Sequence, residues 1–300
     1  MANQIIEDIK LKIKSGNVVT RLIIINIVIF LIFSLLFIAR GIPGVAAVYI
    51  FLKDNLSLPI TLQGFIYKPW TLITYMFVHF ELPHIFWNLI TLYWFGQILS
   101  SFTDSKKIIP LYIMGGVAGG LVTMLIVNFI PVFSGYFNSD STLVGASAGV
   151  TAIIIAAATL VPNYLINLMF VGPVKLLYVA LFVLFIDVLS VAQYNNVGGN
   201  LAHLGGALMG FIFIQQYKKG RDLSKGINKL LDWMSGLFSK KPRSKMKVAY
   251  KRTVSDEEYN YQKNVTQQQI DAILDKISKS GYESLSKQEK ETLFKASGKK

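Results

Sequence analysis

Six long apolar runs, separated by shorter polar connections, dominate the first 217 residues. They lie at about 20–39, 84–102, 108–130, 145–161, 173–192 and 200–217, each near the roughly 20 residues a helix needs to cross a hydrocarbon core. The run from Thr20 to Ala39 is longer than the apolar region of a signal peptide, lacks a small-residue cleavage site and is followed by further runs. It therefore reads as a span retained in the chain. The pattern predicts an all-α membrane protein, a bundle of six transmembrane helices.

The connections differ in kind. Between the first and second runs, an apolar segment from Gly44 to Leu52 is followed by Pro59, Gly64 and Pro69, a pattern of local structure at a membrane interface rather than of a bare linker. Beyond residue 218 the chain turns basic and polar. Over 221–239, Leu223, Ile227, Leu230, Leu231, Met234 and Leu237 recur at helical spacing, which fits an amphipathic helix on anionic lipid or a solvated helix. Residues 266–297 read as two short helices around Ser280-Gly281, with Ser284 or Ser286 able to cap the second. The expected organisation is an N-terminal segment 1–19, a membrane domain 20–217, a basic juxtamembrane linker 218–265, and a small helical C-terminal element 266–300.

Composition agrees with a lipid solvent: 53% of residues are hydrophobic and the mean hydropathy is +0.48, too apolar for a soluble globule. The absence of cysteine removes disulfides, thiolate nucleophiles and Cys-ligated zinc. Of the net charge of +13, most sits in the tail, where residues 218–300 carry 20 Lys and Arg against 10 Asp and Glu. Basic residues are retained on the cytoplasmic side of a membrane. Lys10, Lys12, Lys14 and Arg21, then Lys106 and Lys107, then Lys175 and the tail fall on one side, which makes both termini cytoplasmic. A bacterial plasma (inner) membrane is the expected location, with no cofactor and no nucleic-acid partner.

All three histidines, His79, His84 and His203, stand at the outer ends of predicted spans. Polar groups at membrane depth are costly and usually face a bundle interior or a wet cavity. Gly145-Ala146-Ser147-Ala148-Gly149 opens the fourth run in a G-x-S-x-G pattern. A lipase elbow needs a strand before it, and here a polar loop precedes. Taken alone, the motif equally suits close packing of small residues between helices. Topology adds to it: runs two, four and six all begin on the outer side, and they begin with His84 and Asn88, with Ser147, and with His203. His84 and Asn88 are one turn apart and so share a helix face. Asp187, inside the fifth run, reads as an acid of the inner half, away from the level of Ser147, protonated or hydrogen-bonded within the bundle; its alternative role is in moving a proton or closing a helix gate.

The three segments His84-Ile85-Phe86-Trp87-Asn88, Gly145-Ala146-Ser147-Ala148-Gly149 and Ala202-His203-Leu204-Gly205-Gly206 resemble the motifs of rhomboid intramembrane proteases, in the same order and on the corresponding spans. The resemblance covers about residues 20–217. It implies a Ser-His dyad without a carboxylate, Ser147 attacking and His203 taking its proton, that cleaves transmembrane segments of other proteins. It also implies that His84, Asn88 and the Ser147 N–H stabilise the oxyanion, and that His79 is supportive. Two departures stand out: Trp70-Thr71 replaces the frequent Trp-Arg, and Thr151 stands where an aromatic often packs on the catalytic imidazole. The competing readings are a non-catalytic rhomboid-like protein that binds transmembrane clients and a small-solute transporter, the latter without the paired broken helices such proteins use. Partners would be transmembrane substrates and the bilayer; the oligomeric state is open.

Overall fold

The computed structural model describes residues 17–133, 135–138, 140–168, 171–238 and 256–297; most of the segment 1–19 lies outside these. The chain forms two units, divided between Ser239 and Lys240. In the first, α1 (Val18–Ile38) and α2 (Val45–Leu56) lead into a short strand β1 (Leu58–Pro59) and two short helices, α3 (Leu62–Tyr67) and α4 (Thr71–Thr74). Then come α5 (Leu82–Phe102), α6 (Ile108–Phe129), β2 (Thr142–Leu143), α7 (Ser147–Leu160), β3 (Leu165–Leu168), β4 (Gly172–Lys175), α8 (Leu176–Ala192), α9 (Val197–Lys218) and α10 (Ser224–Phe238). The second unit holds α11 (Asp256–Ser280) and α12 (Lys287–Ser297).

The fold is an all-α membrane bundle. Helices α1, α5, α6, α7, α8 and α9 coincide with the six apolar runs. By length and composition the segments Val18–Gly41, Ser105–Phe129 and Val197–Lys218 can cross a membrane, while α7 and α8 are apolar but shorter. Leu35 on α1, Trp94 on α5, Leu125 on α6 and Phe182 and Phe185 on α8 all point outward from the bundle. So much exposed apolar surface suits hydrocarbon, not water.

At the centre stands α7, buried at every residue from Ala148 to Ala158 and touched by α5, α6, α8 and α9. Small residues one turn apart allow this. A Cβ added to Gly119 of α6 would meet the Ala148 Cβ at 2.6 Å, and one on Gly115 would collide with Ala152. On α9, a Cβ on Gly206 would run into the carbonyl of Ala148, and one on Gly210 into that of Ala152. Three helices therefore meet almost backbone to backbone, the close approach that small residues permit within membranes.

Several boundaries differ from the sequence reading. The fourth run begins its helix at Ser147, not 145, because Gly145 takes φ +117°, which no right-handed helix accommodates. The fifth begins at Leu176, since Gly172–Lys175 pairs in register with Leu165–Leu168 as a hairpin. The segment 218–265 contains α10 and the first turns of α11, which starts ten residues before the expected position. At the start of α12, Ser286 N–H donates to Glu289 Oε2 at 2.7 Å and Glu289 N–H donates to Ser286 Oγ at 3.3 Å, a reciprocal cap.

The connection between α2 and α5 is built inward. Leu58 and Pro59 pair with Leu143 and Thr142, and Asn128 of α6 donates to the Ile60 carbonyl at 2.9 Å while accepting from Leu62 N–H. Leu58, Ile60, Tyr75, Met76 and Val78 are all buried. Thr71 is buried too, its hydroxyl donating to the Lys68 carbonyl, so the position following Trp70 serves a local turn.

Candidate active site

The segment Tyr75–His79 forms a seat for the start of α7. Its own position is fixed by two phenols: Tyr75 donates to the Gly116 carbonyl at 2.7 Å, and Tyr112 donates to the Met76 carbonyl at 2.6 Å. Upon it, Gly145 N–H donates to the Tyr75 carbonyl at 2.9 Å and Ala146 N–H donates to His79 Nε2 at 3.1 Å. The next residue is Ser147, first of the helix, with Ala146 as its cap. The opening N–H groups of a helix have no acceptor within it, so Ser147 brings its hydroxyl and its amide to the positive end of the α7 dipole.

His84 closes one side. Its ring lies against Gly145, so close that a Cβ there would come within 2.7 Å of both Cε1 and Nε2. The rings of His79 and His84 stand edge to face at 5.0 Å between centroids. Asn88, one turn after His84, directs its amide at the His84 carbonyl (3.1 Å) and at His79 Nε2 (3.3 Å).

His203 enters from α9, one turn before Gly206 and hence beside the contact of that glycine with Ala148. Its Nδ1 meets Asp187 Oδ1 at 2.8 Å. This corrects the reading of Asp187. The acid sits five residues before the end of α8 and His203 six residues after the start of α9. In antiparallel neighbours joined by a tight connection, at 1.5 Å per residue, both lie about 8–9 Å from the turn and so at one level. Asp187 belongs to the half of α8 nearer Ser147, and it is 5% exposed.

Ser147, His203, His84, Asn88 and Asp187 all line one open cavity of about 820 Å³ between α5, α7, α8 and α9. No hydrogen bond joins Ser147 Oγ to His203 among the described residues in this state; such bonds are often loose without substrate. Thr151 also lines the cavity, and no ring covers the imidazole from that position. Among the described residues, no group of three or more His, Asp or Glu side chains is placed to hold a metal ion.

A model of the Rhomboid domain matches residues 67–218, just over half of the chain. The chain belongs to the rhomboid family. The match takes in every side chain of the cavity, and a separate family of unknown function (DUF6576) matches residues 253–299. RHOMBOID-like protein 12, mitochondrial, of Arabidopsis thaliana is 31% identical over 159 residues, 50% of this chain and 47% of its own. Rhomboid-related protein 1 of Caenorhabditis elegans is 30% identical over 154 residues, 49% of this chain and 39% of its own. The matched region thus spans less than half the length of either relative.

Within this rhomboid site, sequence reasoning brought together Ser147, His203, His84 and Asn88. It passed over the seat under α7 and the partner of His203. The signal for the second was available: Asp187 is the only acid in the apolar helices α6 to α9, and its distance from the turn to α9 matches that of His203.

Proposed function

We infer that this rhomboid is an intramembrane serine endopeptidase that hydrolyses peptide bonds in or near transmembrane segments of other proteins. The observation that carries the reading is the opening of Ser147 and His203 into one cavity, from two helices held in backbone contact beside both residues. His203 acts as general base, taking the Ser147 Oγ–H proton as Oγ attacks the scissile carbonyl, and then passes it to the departing amide nitrogen. The Ser147 N–H at the head of α7, with His84 and Asn88, receives the oxyanion.

Depth supports an intramembrane reaction. Helix α7 has 14 residues, or about 21 Å, against a hydrocarbon core of about 30 Å. An element that short leaves its first residue below the outer boundary. In this reading all six helices span, both termini are cytoplasmic by the distribution of Lys and Arg, and the chain past residue 218 supplies no reacting group.

Purified protein in liposomes, given a panel of single-span substrates, should cleave at least one, and Ser147→Ala and His203→Ala should each abolish cleavage while remaining folded and inserted. A fluorophosphonate should label Ser147. Cleavage that survives either substitution would remove the dyad, and binding without cleavage by the unaltered protein would favour a non-catalytic client binder.

A further inference from the structure

We propose that Asp187 is a positioning residue for His203, giving this chain a Ser147–His203–Asp187 triad in place of a bare dyad. The inference rests on the reading of Ser147 as nucleophile and His203 as base. Three observations carry it. His203 Nδ1 and Asp187 Oδ1 are 2.8 Å apart, which engages that face of the ring and leaves Nε2 for the serine. The carboxylate is buried in a helix with no other acid and no Lys, Arg or His, and His203 is its one hydrogen-bond partner among the described residues, Oδ2 having none. A carboxylate is expensive to keep in such a place. Finally, Asp187 is in turn the one hydrogen-bond partner of the His203 ring among the described residues, so the contact that orients the imidazole comes from α8.

Among the described residues, the surroundings offer His203 no competing hydrogen bond. Helix α7 has no ionisable side chain, and the Tyr112 hydroxyl, the one ionisable group of α6, is committed to the Met76 carbonyl. His84 and Glu81 line the cavity from the α5 side, and neither is hydrogen-bonded to His203. Asp187 therefore fixes the tautomer with hydrogen on Nδ1 and the lone pair on Nε2. As Ser147 Oγ bonds to the carbonyl carbon, its proton moves to Nε2 and the carbonyl electron pair moves to oxygen. The same proton then goes to the amide nitrogen as the C–N bond breaks. Asp187 exchanges no proton; it stabilises the imidazolium while this exists.

The test separates charge from shape. Asp187→Asn preserves shape and removes charge, Asp187→Glu preserves charge and changes shape, and Asp187→Leu removes both. Cleavage in liposomes, the rate of fluorophosphonate labelling of Ser147 and thermal stability are measured on each. Asp187→Asn should lower kcat at least about 10-fold with KM within about threefold; the corresponding change costs about 10⁴-fold in a soluble triad. Labelling should slow in parallel, and Asp187→Glu should recover part of both rates. A purely structural contact predicts the reverse order, with Asn better tolerated than Glu and losses that track melting temperature. Imidazole ¹⁵N spectra at pH 8, with His203 assigned by its absence in His203→Ala, give a readout without turnover: the Nδ1–H form in the wild type and a mixed population in Asp187→Asn. Wild-type cleavage with an inactive Ser147→Ala and an unimpaired Asp187→Asn would overturn the triad alone. Wild-type protein that neither cleaves nor labels would overturn the protease reading and the triad with it.

Discussion

The imidazole of His79 accepts the N–H of Ala146 at 3.1 Å, across 67 positions of sequence. The acceptor must be unprotonated at Nε2, and its surroundings keep it so. His79 lies in the connection ahead of α5, outside the helices that span. Burial, reinforced by neighbouring His84, pushes it down from 6.5 to about 4, with the Phe77 carbonyl opposing. The start of α7 is thereby tied to a neutral histidine at ordinary pH.

A stability profile follows. The unfolded chain takes up a proton on this histidine near pH 6.5, and the folded chain resists until about 4. Stability from neutral His79 is therefore complete above about 6.5 and is lost as pH falls through that window, by up to about 3 kcal/mol. His79→Gln, which keeps an acceptor but cannot titrate, should be less stable at pH 7 yet flatter between pH 6.5 and 4. Denaturation at several pH values in detergent checks this, and equal slopes for the two proteins would remove His79 as the source.

The backbone contact between α7 and α9 yields a second expectation. At Gly206 an added methyl would meet the Ala148 carbonyl, and at Gly210 that of Ala152. Neither obstacle can rotate away as a side chain could. Gly206→Ala and Gly210→Ala should each destabilise by about 1–3 kcal/mol. Gly206→Ala should also cost at least about tenfold in kcat, since it forces apart the two helices that carry Ser147 and His203. Gly226→Ala in α10, where the space is open, should be neutral or slightly stabilising. Thermal melts of the three variants beside cleavage rates check the ordering.

The length of the apolar runs made the bundle readable because each run serves one helix, and lipid imposes both length and composition on it. The small residues of Gly145-Ala146-Ser147-Ala148-Gly149 were legible as a close-packing motif for the same local reason. The seat formed by Tyr75 to His79 was not. Its bonds to Gly145 and Ala146 run from a connection whose sequence has no regular period, and they depend on the β1–β2 pairing that brings Leu143 beside Leu58. Asp187 shows a different failure. Its residue type was noticed, but its level was misjudged, because the level depends on the number of residues on either side of a turn. The distance of Asp187 from the end of α8 was enough to place it opposite His203.

The last expectation concerns Asn88, whose amide is already engaged in the resting state by the His84 carbonyl and, more loosely, by His79 Nε2 at 3.3 Å. To serve an oxyanion it must release one of these bonds, and the longer one is the cheaper to give up. If it does so, Asn88→Ala should lower kcat far more than it raises KM, because the oxyanion exists only after attack. A complete donor is worth about 10²–10³ in kcat, and a donor that must first break another bond should fall toward the lower end. His84→Ala should behave likewise. A purely structural Asn88 would cost about 0.6–2 kcal/mol of stability, as interhelical hydrogen bonds in membranes do, and would leave turnover per folded molecule unchanged. A double-mutant cycle with His79→Gln separates a third possibility, in which Asn88 acts only by holding His79 under Ala146. In that case the second substitution adds nothing to the first, whereas an independent oxyanion donor gives losses in kcat that multiply.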